Sequence, residues 1–162
     1  MNGVPVRVEK VLFDRQAEAA VVVVAEEGGE RTLPIWVGQA EAFSIALAAE
    51  QVELPRPITH DLLITLLETL GSSVRWVRVR DLKEGTYFAT ACIASERGTH
   101  EVDCRPSDAM AIALRARCPI YVAEEVFAAA ASDDPNLPTT SDDLSEDYLA
   151  SLPDEKFGKY KM

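Results

Sequence analysis

The strongest constraint on the fold is an internal repeat. Shifted by 67 positions, residues 8–50 lie over residues 75–117 without a gap. Asp14 meets Asp81 and Thr32 meets Thr99. The stretch Ala42-Phe43-Ser44-Ile45-Ala46-Leu47 meets Ala109-Met110-Ala111-Ile112-Ala113-Leu114, and Glu41 meets Asp108. Only 7 of the 43 aligned positions are identical, so the order of elements carries the repeat more than identity does. In each copy three strand-like runs precede a helix-like run, and self-similarity at a fixed period is the mark of a repeated structural unit.

The elements follow from side-chain periodicity and from turn residues. Val4 to Phe13 reads as a strand. The four valines of Ala19 to Ala25 suit a strand buried on both faces, and Arg31 to Val37 is a third strand. Gln39 to Glu50 is a helix, with Ala42, Ile45, Ala46 and Ala49 at helical spacing. Thr59 is a candidate cap for a second helix running to Leu70, with Leu62, Leu63, Leu66, Leu67 and Leu70 expected to face inward and Gly71 to end it. The pattern restarts with strands at Val74 to Leu82, Thr86 to Ala94 and Thr99 to Cys104. Pro106 to Arg117 is a helix with proline in its first turn, Pro119 to Ala123 is extended, and Glu124 to Ala131 is helical. The expected fold is α+β, a duplicated β-β-β-α-α unit with pseudo-twofold symmetry and a shared core.

Charge separates a domain from a tail. The formal net charge is −11, of which residues 1–131 hold −6 and residues 132–162 hold −5. A general nucleic-acid coat protein is therefore excluded, because such proteins gain affinity by neutralising phosphates with Lys and Arg. Residues 1–131 read as the domain and 132–162 as an acidic linker and tail. Within the tail, Ser141 is placed to cap a short helix with Leu144, Tyr148, Leu149 and Leu152 on one face, and Phe157 and Tyr160 are anchor candidates. The tail reads either as mobile or as docking on its own or a neighbouring subunit. Cys92, Cys104 and Cys118 form no C-x-x-C pair, so neither a disulfide framework nor a zinc site is suggested. With no apolar signal core at the N-terminus and no membrane-length run, a cytosolic location is expected.

Three stretches carry a resemblance: Leu33-Pro34-Ile35-Trp36-Val37-Gly38-Gln39-Ala40-Glu41-Ala42, Leu54-Pro55-Arg56-Pro57-Ile58-Thr59-His60-Asp61-Leu62-Leu63, and Val102-Asp103-Cys104-Arg105-Pro106-Ser107-Asp108-Ala109-Met110-Ala111. In order and approximate spacing they resemble the signatures of the bifunctional nuclease family. The resemblance covers about residues 6–130, and the region from Pro153 to Phe157 is similar to a C-terminal extension of that family. It implies activity on DNA and RNA.

Phosphodiester hydrolysis needs an activated water, charge stabilisation at phosphorus and a proton for the leaving oxygen. The signature loops contain suitable groups. His60, Asp103 and Asp108 are the catalytic candidates, and Asp103 with Asp108 the candidate ligands of a divalent cation such as Mg2+ or Mn2+. Arg56 and Arg105 are candidate phosphate clamps. Trp76, Arg78 and Arg80 share one face of a strand and suit a single strand of nucleic acid by stacking and charge. Structural roles stand beside each of these. Asp108 falls near the third position of its helix, where an acid offsets the helix dipole. Ser107 is a cap or turn residue, and Arg105 a partner for Asp103 or Asp108. His60 is equally readable as a hydrogen-bonded structural histidine, Asp103 as pointing outward, and the Trp76 face as a solvated strand surface. Cys104 lacks an adjacent base. All five of Arg56, His60, Asp103, Arg105 and Asp108 are expected in one cleft near the helix starts. The expected assembly is a homodimer. A rival reading is a non-enzymatic regulatory or scaffold module that binds a small anion at the paired helix N-termini or recruits a protein partner.

Overall fold

Runs of β-branched residues separated by short turns make two antiparallel meanders. The computed structural model describes residues 3–14, 19–29 and 31–133. The first meander is β1 (Val4–Phe13), β2 (Ala19–Glu26) and β3 (Thr32–Gly38), and the second is β4 (Ser73–Lys83), β5 (Thr86–Ser95) and β6 (Gly98–Cys104). Helices α1 (Gln39–Ala49) and α2 (Thr59–Thr69) follow the first meander, and α3 (Pro106–Ala116), β7 (Ile120–Val122) and α4 (Glu124–Asp133) follow the second. Gln39 and Pro106 open their helices at positions 67 apart. The β-β-β-α-α order holds in the first half; in the second, β7 intervenes between the helices.

That short strand is the seam of the sheet. The strand order is β3-β2-β1-β7-β4-β5-β6, one mixed sheet of seven strands. β7 runs antiparallel to β1, pairing Val122 with Val4 and Ile120 with Val6, and parallel to β4, pairing Ile120 with Val77 and Val122 with Val79. The five paired valines and Ile120 face the same side, so the seam joins the two meanders through apolar contact as well as hydrogen bonds. α1 lies against β1–β3, α3 against β4 and β5, and the two helices pack on each other. The core includes Val21 to Val24, Leu33, Ile35, Ile45, Val77, Val79 and Met110, all buried.

α2 departs from the sequence expectation. Its N-cap is Ile58 rather than Thr59, and the Asp61 side chain accepts the Ile58 backbone N–H at 2.9 Å. It ends as expected at Gly71, whose φ of +67° suits glycine, and Ser72 N–H reaches back to the Leu67 carbonyl at 2.8 Å. Its leucines, however, do not face inward as a set. No α2 residue is buried. Leu62, Leu63, Leu66 and Leu70 are 40–77% exposed, while Ile64 and Leu67 pack partly on the core. Periodicity shows which residues share a stripe but not whether a partner surface stands opposite. The amphipathic segment expected from Ser141 to Leu152 and the Phe157 and Tyr160 anchors lie outside the described residues. No helix among the described residues is long and apolar enough to cross a membrane.

Met110 lies at the centre of α3 with no exposed surface. Met110→Ala is expected to lower unfolding stability by about 2–5 kcal/mol. Urea titration checks this, and an unchanged midpoint would show that the core is not where the burial pattern puts it.

Candidate functional site

The site begins with two helix starts. Gly38 and Arg105 are the extended N-cap residues of α1 and α3, and neither provides a side-chain cap. The free N–H groups there carry partial positive charge. Each helix answers with an acid in its first turn, Glu41 in α1 and Asp108 in α3. The Glu41 carboxylate folds back over the helix start, where a Cβ at Gly38 would stand 2.3 Å from Oε2 and the flexible end of the glutamate would have to move aside.

Arg105 ties the two acids together. Its Nε donates to Asp108 Oδ2 at 2.7 Å, its Nη2 to Asp108 Oδ1 at 2.9 Å and its Nη1 to Glu41 Oε1 at 3.0 Å. A guanidinium has five N–H donors, so among the described residues two remain for another acceptor on a side chain that is 47% exposed.

Behind this pair stands His60, from the first turn of α2. Its Nε2 lies 3.1 Å from Asp108 Oδ1 and its Nδ1 lies 2.7 Å from Ser44 Oγ. An ionised carboxylate can only accept, so Nε2 carries a proton; in the neutral ring Nδ1 then accepts from the Ser44 hydroxyl. Ser44 is buried in α1 and cannot present its oxygen to solvent as a nucleophile. Beside it, Arg115 of α3 donates Nε to Asp61 and Nη1 to the Ser44 and Ala111 carbonyls at 3.2 and 2.9 Å. The result is one polar network linking α1, α2 and α3.

The electrostatics follow from these bonds. His60 first, then Arg105, hold the Asp108 carboxyl far below the usual carboxylate range against the opposing effect of burial. Arg115 and the Ile58 N–H lower Asp61 likewise. Burial, with the carboxylates of Asp108 and Asp103 nearby, pushes the Cys104 thiol up to about 11, which leaves it a poor nucleophile.

The structure brings His60, Arg105 and Asp108 together but sets the other expected members elsewhere. Asp103 is 74% exposed and accepts from Arg80 Nη2 at 2.9 Å. Successive strand residues face opposite sides. Cys104 lies on the side of His60 and Asp108, where these three residues line one groove, so Asp103 faces away. It shares the outer face with Arg78, for Arg78 pairs with Thr90 and Thr90 with Asp103. On that face the Arg78 guanidinium lies 5.6 Å from the Trp76 ring and Arg80 lies 5.7 Å from Phe88. Arg56 is exposed in the loop before α2. Ser107 is buried, and its hydroxyl has no hydrogen-bond partner among the described residues.

This donor set does not fit a divalent cation held by Asp103 and Asp108 together. The two carboxylates face opposite sides of β6, Asp108 is engaged by Arg105 and His60, and no group of three His, Cys, Asp or Glu side chains suited to a metal occurs among the described residues. Sequence reasoning missed Ser44 and Arg115. Ser44 sits within the apolar helix stripe, and Arg115 finds its carboxylate partner in Asp61, 54 residues earlier.

A mixed α+β domain with one seven-stranded sheet and a His–Asp–Arg cluster at its helix starts is the class that these observations define. The chain belongs to the bifunctional nuclease domain family, whose model matches residues 21–135. An uncharacterised protein of Mycobacterium tuberculosis is 40% identical over 156 residues, 96% of this chain and 90% of that protein. Bifunctional nuclease 1 of Oryza sativa subsp. indica is 32% identical over 114 residues, and bifunctional nuclease 2 of Arabidopsis thaliana is 31% identical over 107. These matches cover 68% and 64% of this chain but only 34% and 32% of the plant proteins.

Asp108 supplies a test of the network. Because its folded-state pKa is depressed, the stability it contributes is full above the ordinary carboxylate pKa of about 4 and is lost as pH falls below it. Asp108→Asn is expected to cost about 1–3 kcal/mol at pH 7 by weakening the charged hydrogen bonds. The gap from wild type should narrow between pH 4 and pH 2 in thermal or urea unfolding. A gap independent of pH would separate Asp108 from the ionisation assigned to it.

Proposed function

We propose that the protein is a nuclease that hydrolyses phosphodiester bonds of RNA and DNA, with its chemistry at the His60–Asp108–Arg105 cluster. The reading rests on family membership and on relatives named bifunctional nucleases, and one observation carries it to these residues. A half-exposed arginine with two unused N–H groups adjoins a histidine whose tautomer is set by an ionised aspartate. Arg105 takes a non-bridging phosphoryl oxygen, where its charge is worth most as the transition state develops. Water adds to phosphorus as the bond to the leaving oxygen breaks, and the proton lost by the water passes to solvent. The leaving oxygen enters between the two side chains and takes the Nε2 proton of His60 in its imidazolium form, whose Nδ1–H then donates to Ser44 Oγ. Asp108 orients the ring and offsets the imidazole charge, as a carboxylate does in other His–Asp pairs.

Binding is proposed to extend to the outer sheet face. Trp76 and Phe88 offer stacking surfaces and Arg78 and Arg80 offer charge. That face lies opposite the His60 side of the sheet, but Asp103 and Arg105 are only two residues apart where β6 ends. A single strand therefore has a short route around that end, from Arg80 to Arg105. The overall charge of −11 opposes binding, so affinity is weak and salt-sensitive.

A non-enzymatic oligomeric module is the second reading. It is favoured by the closure of the network, in which both His60 nitrogens are engaged and the helix starts are already matched by Glu41 and Asp108. Internal carboxylates at both starts leave little room for an external anion, so a protein partner suits this reading better than a small anion.

The two readings separate in one assay with labelled single-stranded RNA and DNA. Under the nuclease reading, His60→Ala and Arg105→Ala each lower turnover by about 100-fold or more, and both retain a cooperative melt. Arg78→Ala with Arg80→Ala weakens binding and reduces the salt slope by about 1 to 2, while saturated turnover persists. Parallel reactions with chelator and with added Mg2+ or Mn2+ score cation dependence separately. Cleavage that survives unchanged in His60→Ala and Arg105→Ala removes this site, and no cleavage by wild type under any condition supports the module.

A further inference from the structure

Outside the polar cluster, the largest unexplained feature is apolar. Between α2 and the exposed edge strand β6 runs an open groove of about 520 Å3. Its floor is Ala91, Ile93 and Val102, and its wall is formed by Leu62, Leu63 and Leu66 of α2. Val102 is 49% exposed and Leu70, one turn beyond Leu66, is 77% exposed. In a helix Leu62, Leu66 and Leu70 form one stripe. A leucine ridge and an apolar groove thus lie side by side on one surface. Contiguous apolar patches of this kind mark interaction sites.

The geometry points to a second copy of this chain as the occupant, docked through a twofold contact in which each α2 ridge enters the partner's groove. A ridge beside a groove is self-complementary under a twofold axis, which is what an isologous interface requires. Charge decides against other occupants. Asp108 is the single formally charged carboxylate in the groove lining, and it is already bonded to His60 and Arg105. No lysine or arginine lines the groove to pair with nucleic acid. The acidic tail is disfavoured too, since residues 132–162 carry eight acids and three bases and the groove lining offers no lysine or arginine to offset the excess. The leucine ridge brings no charge, so the contact leaves none buried and unpaired. His60 and Asp108 line the same groove. The second copy therefore covers their apolar side and leaves the approach past Arg105 open. This assembly is independent of whether the cluster is catalytic.

Light scattering on the full chain tests it at tens of micromolar. Wild type is expected at twice the 17.7 kDa chain mass, and Leu66→Asp at the single-chain mass with an unchanged circular dichroism spectrum, because Leu66 is already half exposed. In a second arm, the thiol of Leu66→Cys, set in the partner's groove, is expected to resist alkylation at dimer concentrations and to react on dilution. A monomeric wild type overturns the inference, as does a Leu66→Asp variant that remains dimeric. A monomer whose Leu66→Cys thiol resists alkylation until Leu149→Asp is added would identify the tail as the occupant, which also overturns it.

Discussion

The arrangement of the helices depends on one carboxylate. Asp108 sits in the first turn of α3, where the free N–H groups of that helix favour negative charge. From there it accepts from Arg105, which also holds Glu41 of α1, and from His60 of α2. Three helices are thus referenced to one group. The dependence is strongest for α2, which buries no residue and is held by partial packing of Ile64 and Leu67 and by polar bonds from His60 and Asp61. A charge-assisted bond contributes roughly 1.5–3 kcal/mol, comparable with burying one large apolar side chain. For a helix with so little buried surface, that contribution decides its position.

The sheet imposes the second division. β6 ends at Cys104, and alternation sends Cys104 toward the helices and Asp103 to the outer surface. The same alternation separates Val77 and Val79, in the core, from Arg78 on the outer face. Polar groups therefore gather in two places, a partly shielded cluster at the helix starts and a half-buried Arg–aromatic face from which Arg80 reaches solvent. The backbone of residues 103–105 joins them. In the proposed nuclease, substrate positioning and proton transfer fall to different faces of one sheet and meet at the end of a single strand.

The leucines of α2 leave an apolar surface uncovered among the described residues. Each half-exposed leucine forgoes roughly 1 kcal/mol of the stabilisation that full burial supplies. Four of them on one short helix, beside a groove with an apolar floor, are more than the scattered exposure that ordinary surfaces carry. The polar network and the apolar groove share His60 and Asp108, so the packing of α2 and the environment of the cluster are coupled.

Local properties were legible in the sequence. Runs of β-branched residues, turn glycines and the 67-residue register located six strands and the helices, and the segment from Pro119 to Ala123 was readable as extended though not as the seam. The acids at equivalent helix positions and the family signature were equally plain, because each resides in a few neighbouring residues. What the sequence left open depends on contacts across the chain. Ser44 meets His60, His60 meets Asp108, Arg105 meets Glu41 and Arg115 meets Asp61 at separations of 16 to 64 residues. Periodicity assigned Leu62, Leu66 and Leu70 to one stripe, but only the tertiary structure decided that no element of this chain covers it among the described residues. Strand alternation was equally available for Asp103, yet which side held the helices was not. A side chain's direction relative to its own backbone is local, whereas what it faces is set by the packing of the whole domain.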